Sequence, residues 1–245
     1  MMMCESTHFS RAPIVEALIG IDFEQMRAED VLPVLQELGE TLKNEYPVRE
    51  DIVLGQVEFA LGQKPKQTDT PLGYFLKSKD GRQVVHAKRN GFAFSRLAPY
   101  EEWPRFFDEA KRTWGLYRKT IGPSKLAKWT VRYINKLSWL ESESIKEYLE
   151  VYPHIPEGLP QTFQGCFMRL EFPVNEPCQG ILTQQLVKLP PESEGTVSFM
   201  LDNEFSFSAI GKTDSAIWEA ISESRHVKNQ FFNRAITLKT KEMIK

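Results

Sequence analysis

One unit occurs twice in this chain, and that repetition constrains the fold more than any other feature. The clearer copy spans residues 83–117, QVVHAKRNGFAFSRL followed by APYEEWPRFFDEAKRTWGLY. Its echo spans residues 196–232, TVSFMLDNEFSFSAI followed by GKTDSAIWEAISESRHVKNQFF. Each reads as a hairpin leading into a long amphipathic helix. Asn90-Gly91 predicts a two-residue type I′ turn, because both residues tolerate positive φ, and Asp202-Asn203 stands at the matching place. Phe92-Ala93-Phe94-Ser95 aligns with Phe205-Ser206-Phe207-Ser208, and Trp103 with Trp218, at nearly the same offset. A turn, an aromatic strand and a helical Trp in one order point to duplication with small insertions.

The segments around these units fit two matching halves. Residues 13–23 predict a strand, and residues 28–46 a helix with Val31, Leu35, Leu38 and Leu42 on one face. Residues 51–61 and 72–79 predict strands, separated by the loop-like GQKPKQTDTP. A helix over 100–119 follows the first hairpin and ends at the breaker Ile121-Gly122-Pro123-Ser124. The order then restarts: a strand over 129–138, a short helix from Ser144, strands over 163–172 and 181–189, the second hairpin, and a helix over 213–232. Thr213 or Asp214 can cap that last helix. The fold class expected is α+β, a tandem duplicated β-α-β4-α repeat with boundaries at 1–122 and 123–245. Each half alone is a marginal core. One continuous antiparallel sheet across a pseudo-twofold axis, with the helices on one face, buries both. A helix-grip barrel is the alternative architecture.

Strand alternation then says which side chains face away from the helices. Glu16 and Asp22 oppose Val15, Ala17, Ile19, Ile21 and Phe23. Gln56 and Glu58 oppose Val57 and Phe59. Arg132 and Lys136 oppose Val131, Tyr133 and Leu137, and Arg169 and Glu171 oppose Met168, Leu170 and Phe172. An antiparallel sheet buried on one side produces this pattern. The open face is the candidate recognition surface. Arg132, Lys136 and Arg169 would hold an anionic or carboxylate group, and Glu16, Glu58 and Glu171 would orient it. Glu16 and Arg132 are expected to be cross-strand partners where the two halves meet.

Composition and motifs narrow the function classes. Of the 245 residues, 41% are hydrophobic and 26% charged, the balance of a folded globule. A net charge of −2 argues against binding driven by phosphate neutralisation. The run KLAKWTVRYINK interleaves basic and aromatic residues, but alternation sends Trp129 and Tyr133 to the face away from Arg132 and Lys136. The three cysteines, Cys4, Cys166 and Cys178, have no CxxC spacing, so neither a disulfide framework nor a metal site is expected, and a reducing cytoplasm is the default. No apolar run has the roughly 20 residues of a membrane span. His8, His86, His154 and His226 lack metal-ligand spacing, and His86 and His226 read as structural or solvated. No nucleophile elbow, phosphate loop, dinucleotide fingerprint or zinc-protease motif is present, so no catalytic residues and no cofactor are assigned, and an enzyme is the weaker expectation.

The element order resembles the tandem saddle of the TATA-box-binding-protein-like fold. RAPIVEA at 11–17, FSRLAPYEEW at 94–103, RYIN at 132–135 and HVKNQFFNRAIT at 226–237 resemble a bacterial family of about 250 residues, known as sporadically distributed uncharacterised proteins. The resemblance carries over no catalytic residues. Its patchy distribution implies a role in a defence or toxin-control locus. The function expected is a non-enzymatic binding or regulatory module using the open sheet face, with a protein partner or a second copy as occupant. A nucleic-acid-binding saddle is one alternative. An enzyme or small-ligand protein with a pocket between the halves is another.

Overall fold

The computed structural model describes residues 9–58, 66–175 and 179–245, with the side chains of residues 56–58, 66 and 67 outside that description. The expected role of Glu58 therefore lies outside the described side chains. Among the described residues the chain forms β1 (Ile14–Phe23), α1 (Leu32–Leu42), β2 (Val48–Glu58), β3 (Lys66–Lys77), β4 (Gln83–Lys88), β5 (Gly91–Leu97) and α2 (Trp103–Ile121). It continues with β6 (Leu126–Leu140), β7 (Phe167–Val174), β8 (Gly180–Lys188), β9 (Thr196–Ser208), α3 (Asp214–Ala235) and α4 (Leu238–Met243). The strands make one open, wholly antiparallel sheet in the order β2-β3-β4-β5-β1-β6-β9-β8-β7. The fold is α+β. The sheet ends at β2 and β7, which do not pair, so the helix-grip barrel is not what forms.

Alternation decides what each strand buries. Ala17, Ile19 and Ile21 of β1 and Trp129, Val131 and Tyr133 of β6 are buried in one core with Leu35 and Leu38 of α1, Phe106 and Trp114 of α2, and Ile217, Trp218 and Ile221 of α3. The core is largely aromatic: Trp129 stacks on Phe207 at 4.3 Å between centroids, and Phe94 meets Phe106 at 5.7 Å. A second cluster at the other end of β6 holds Leu137 and Trp139 with Tyr148, Phe199 and Leu201. Trp139 lies between Tyr148, at 4.5 Å, and Phe199, at 5.1 Å, with all three rings nearly parallel.

The first half follows the expected order of elements, and the second departs from it twice. The segment after Ser144 forms only the 3-10 turn Ile145–Glu147 in place of a helix. Ser144 and Glu147 cap it reciprocally, but Pro153 and Pro156 follow too closely for a longer helix to form. At Asp202-Asn203 there is no turn. β9 runs unbroken through both residues because β6 and β8 pair with it on either side, and Arg132 and Tyr133 take Glu204 and Asn203 as partners in register. Tertiary pairing here overrides local turn chemistry. In the first half, β3 begins at Lys66, so the loop expected up to residue 71 is partly strand. Pro71 is accommodated at the register shift opposite Val53.

The first hairpin forms, but Gly91 is not in its turn. Lys88 pairs with Gly91, so Arg89 and Asn90 are the two central residues, and neither has positive φ. This is not the type I′ geometry expected. Glycine is required instead by a close approach: Gly91 has φ +150°, and a Cβ there would lie 2.4 Å from the Ile21 carbonyl oxygen. Tyr117 of α2 closes the turn from the helix side, its hydroxyl donating to the carbonyls of Lys88, at 2.6 Å, and Gly91, at 3.0 Å. Gly91→Ala is expected to destabilise the fold by about 2–4 kcal/mol through strained φ and backbone overlap, read as a lower urea midpoint at unchanged m-value.

Candidate functional site

The apolar pattern between the sheet and its helices breaks in three places. Asn135 follows Trp129, Val131 and Tyr133 along β6, and Asn203 precedes Phe205 and Phe207 along β9. Across the strands Tyr133 pairs directly with Asn203, and Asn135 with Leu201. The third break is on α3. Its buried stripe Ile217, Trp218, Ile221 and Ser224 gives way to Arg225, Lys228, Asn229, Phe232 and Asn233, which keep the i, i+3, i+4, i+7, i+8 spacing of one helix face. A face that continues toward the core but turns basic and amide-rich needs something polar to meet.

What it meets is a cavity of about 420 Å³ between the two core clusters. Its floor is Tyr133, Asn135 and Asn203, and α3 supplies one wall. The segment Tyr100–Pro104, at the start of α2, supplies another, and Phe9 and 12–14 close a third side. The Tyr100 and Tyr133 hydroxyls share a hydrogen bond at 3.2 Å. Burial pushes the Tyr100 hydroxyl up to about 12 and Tyr133 well above its ordinary value, so both remain protonated.

The charges are unevenly satisfied. Glu101 is held by Arg96 at 2.9 Å and Arg105 at 3.1 Å, and Glu102 by Arg105 at 3.1 Å. Arg225 and Lys228 have no carboxylate within ion-pair distance among the described residues. Their contacts are aromatic: the Arg225 guanidinium lies 6.0 Å from the Trp103 ring centroid, and the Lys228 Nζ lies 3.5 Å from that of Tyr133. Lys228 as a residue is half-buried, and its ammonium sits deep. Burial, with the neighbouring positive charge of Arg225 second, pushes it down to about 7. A cation over a π face recovers part of the lost hydration, but the desolvation is larger. The N-terminus of α2 opens at the same place, and its N-cap Glu102 makes no capping bond through its side chain. It adds a partial positive charge.

Asn203 marks the cavity as built to receive a polar group. It is 1% exposed, its Oδ1 accepts from Gln184 Nε2 at 2.8 Å, and its Nδ2 has no partner. Turning both amides over exchanges donor for acceptor and still leaves one Asn203 atom unpaired. An unpaired buried amide costs about 1–3 kcal/mol, which a ligand atom would recover. Asn233 Oδ1 is unpartnered on the helix side.

Of the residues singled out by strand alternation, Glu16, Arg132, Lys136, Arg169 and Glu171 are within the described side chains, and they do not converge. Arg132 is held in a fork by Asp202, with Nε–Oδ1 at 2.9 Å and Nη2–Oδ2 at 2.6 Å, and Asp202 is 0% exposed. Lys136 pairs with Glu192. Arg169 pairs with Glu171 at 2.6 Å on the sheet-edge strand β7. Glu16 lies opposite Ile134 rather than Arg132 and accepts from the buried Ser95 Oγ at 2.7 Å. Ser95 Oγ is also 3.1 Å from His86 Nε2. Burial pushes His86 down to about 4, and Lys88 adds to the effect, so the ring is neutral. Serine stands between acid and base in this cluster and is itself only 1% exposed, so it is not arranged as a nucleophile. No group of three or more metal-ligating side chains forms among the described residues.

No protein-family model matches the chain, and no curated protein matches it. No helix among the described residues is long and apolar enough to cross a membrane.

Lys228 is expected to leave a mark on stability. Its folded-state value lies below the unfolded one, so between pH 7 and 10 the unfolded chain binds more protons and stability rises with pH. Below pH 7 the penalty of the buried charge is fully present. Lys228→Met is expected to be more stable than the wild type at pH 6 by on the order of a few kcal/mol, with the gap closing toward pH 10. Urea unfolding at a series of pH values checks this.

Proposed function

We propose that this protein is a small-molecule-binding module whose site is the cavity between β6, β9, α3 and the start of α2. Its ligand is a small organic anion with a planar or aromatic body. One observation carries the reading: Arg225 and Lys228 line a half-open cavity without carboxylate partners, while the nearby Glu101 and Glu102 are neutralised by arginines outside it. A carboxylate or phosphate would accept charge-assisted bonds from both cations. Trp103, Tyr100 and Tyr133 line the cavity with aromatic surface for a planar body, and Asn203 offers one directional bond. The volume lies within the range of small-molecule pockets.

The open sheet face ranks second as a binding surface. Its cations are already committed to Asp202, Glu192 and Glu171, so an incoming anion would have to break those pairs. A binding module with an interior ligand fits a regulator, and a place in a bacterial defence or toxin-control locus is the role the family resemblance suggests for it. Duplication is supported by the order of strands outward from the centre. β1 pairs with β6, β5 and β9 flank them, then β4 and β8, then β3 and β7, and β2 has no counterpart. In this reading the cavity lies beside the joint between the halves.

Titration calorimetry with phenyllactate, an aromatic hydroxy acid, tests the proposal, with the uncharged alcohol 3-phenylpropanol as comparison. Phenyllactate is expected to bind and the alcohol much more weakly. Arg225→Gln should weaken binding about tenfold to a hundredfold, the worth of a charged hydrogen bond. Arg169→Gln on the open face should leave it unchanged. Loss with Arg169→Gln and none with Arg225→Gln would move the site to the open face.

A further inference from the structure

The cavity holds one group that anion binding alone does not require, the amine of Lys228. A lysine that serves only as a counter-charge is best left hydrated or paired with a carboxylate. This one is neither. Its Nζ sits 3.5 Å from the Tyr133 ring centroid, one helical turn from a guanidinium, in a cavity walled by Tyr100, Trp103, Phe9 and Phe232. Lysine side chains become nucleophiles in two environments, an apolar pocket and the neighbourhood of another cation. Lys228 has both.

We propose that Lys228 is the nucleophile of this cavity and condenses with the carbonyl carbon of an oxo acid to form an imine. The inference rests on the anion-binding reading for its choice of substrate, since Arg225 would hold the acid group while the carbonyl faces Nζ. The neutral amine donates its lone pair to the carbonyl carbon, the π pair moves to oxygen, and one of the two nitrogen protons passes to that oxygen, giving a carbinolamine. The second nitrogen proton reaches the same oxygen as the C–O bond breaks, so water leaves and a C=N bond remains. No oxidant or reductant is consumed. The hydrogen-bonded Tyr133–Tyr100 pair supplies a proton donor beside the amine for the departing oxygen. The free amide group of Asn203 is placed to bond the polarised oxygen before it leaves.

The groups facing Lys228 decide how its reactivity varies with pH. Arg225 comes from its own helix, Tyr133, Asn135 and Asn203 from the sheet, and Tyr100, Glu101 and Glu102 from the segment before α2. The two glutamates are tied to Arg96 and Arg105, and Arg225 is the charged group that bears on the titration. Reactivity is therefore expected to rise through neutral pH, where an ordinary lysine is still fully protonated.

The test is reductive trapping on the full chain. The protein is incubated with phenylpyruvate, or with the smaller oxo acid glyoxylate, and sodium cyanoborohydride at pH 7.5. The modified lysines are then located by peptide mass mapping. The expected result is labelling of Lys228 about tenfold or more faster than of the exposed Lys43, suppressed by phenyllactate, which has no carbonyl to condense. Lys228→Arg should lose the fast-labelled site and leave the labelling of Lys43 unchanged. The proposal is overturned if phenyllactate binds but neither oxo acid labels Lys228 faster than Lys43, and the anion-binding reading then survives. Fast labelling of Lys228 by glyoxylate without phenyllactate binding has the opposite meaning: it supports the nucleophile and removes the aromatic-anion ligand. Slow labelling with no binding overturns both.

Discussion

The molecule depends on one strand being buried along one face for its whole length. β6 pairs with β1 on one side and with β9 on the other, so its backbone joins the two halves of the sheet. Every second side chain along it then has to meet helices. At one end Trp129 and Val131 do so, and at the other Leu137 and Trp139. Burying such side chains is worth about 1.5–3 kcal/mol each. The middle of the strand, at Tyr133 and Asn135, is different, and the cavity lies there.

That middle is a local sacrifice of stability. An apolar pair in place of Asn203 and Lys228 would pack without an orphaned amide or a desolvated ammonium. Instead the fold keeps a free amide, two unpaired cations and two buried tyrosine hydroxyls around one space. Such a cluster persists only where the surroundings over-determine it. Here the aromatic stacks of Trp139 with Tyr148 and Phe199, and of Trp129 with Phe207, brace the sheet on both sides. The same bracing would hold a ligand's partners in place before it arrives, which lowers the ordering cost of binding.

The opposite face shows the contrasting use of charge. Arg132 and Asp202 form a forked pair with the carboxylate wholly buried, Lys136 reaches Glu192, and Arg169 lies against Glu171. These pairs satisfy one another and hold the register of neighbouring strands, so the face is charged without being hungry for a partner. Strand alternation carries no information about whether a charge is already neutralised. Asp202 shows why. Reading it as a hairpin turn residue hid the fact that it stands mid-strand, directly placed to neutralise Arg132.

Period-two alternation and heptad-like stripes are local, and through them the sequence by itself determined most of the strands, the long helices and the helix-facing side of the sheet. The loss of the turn at Asp202-Asn203 was decided by tertiary pairing, since neighbours on both sides of β9 offered more hydrogen bonds than a turn could, whereas Pro153 and Pro156 cut short the segment after Ser144 locally. The cavity was half legible. Asn135, Asn203 and the change in the α3 stripe from Ser224 to Arg225 stand as polar residues at core positions, a signal available without coordinates. What the sequence could not supply was their meeting. Residues near 100, 133, 203 and 228 come together only once the sheet order and the path of α3 are set, and that juxtaposition is a property of the whole fold rather than of any segment.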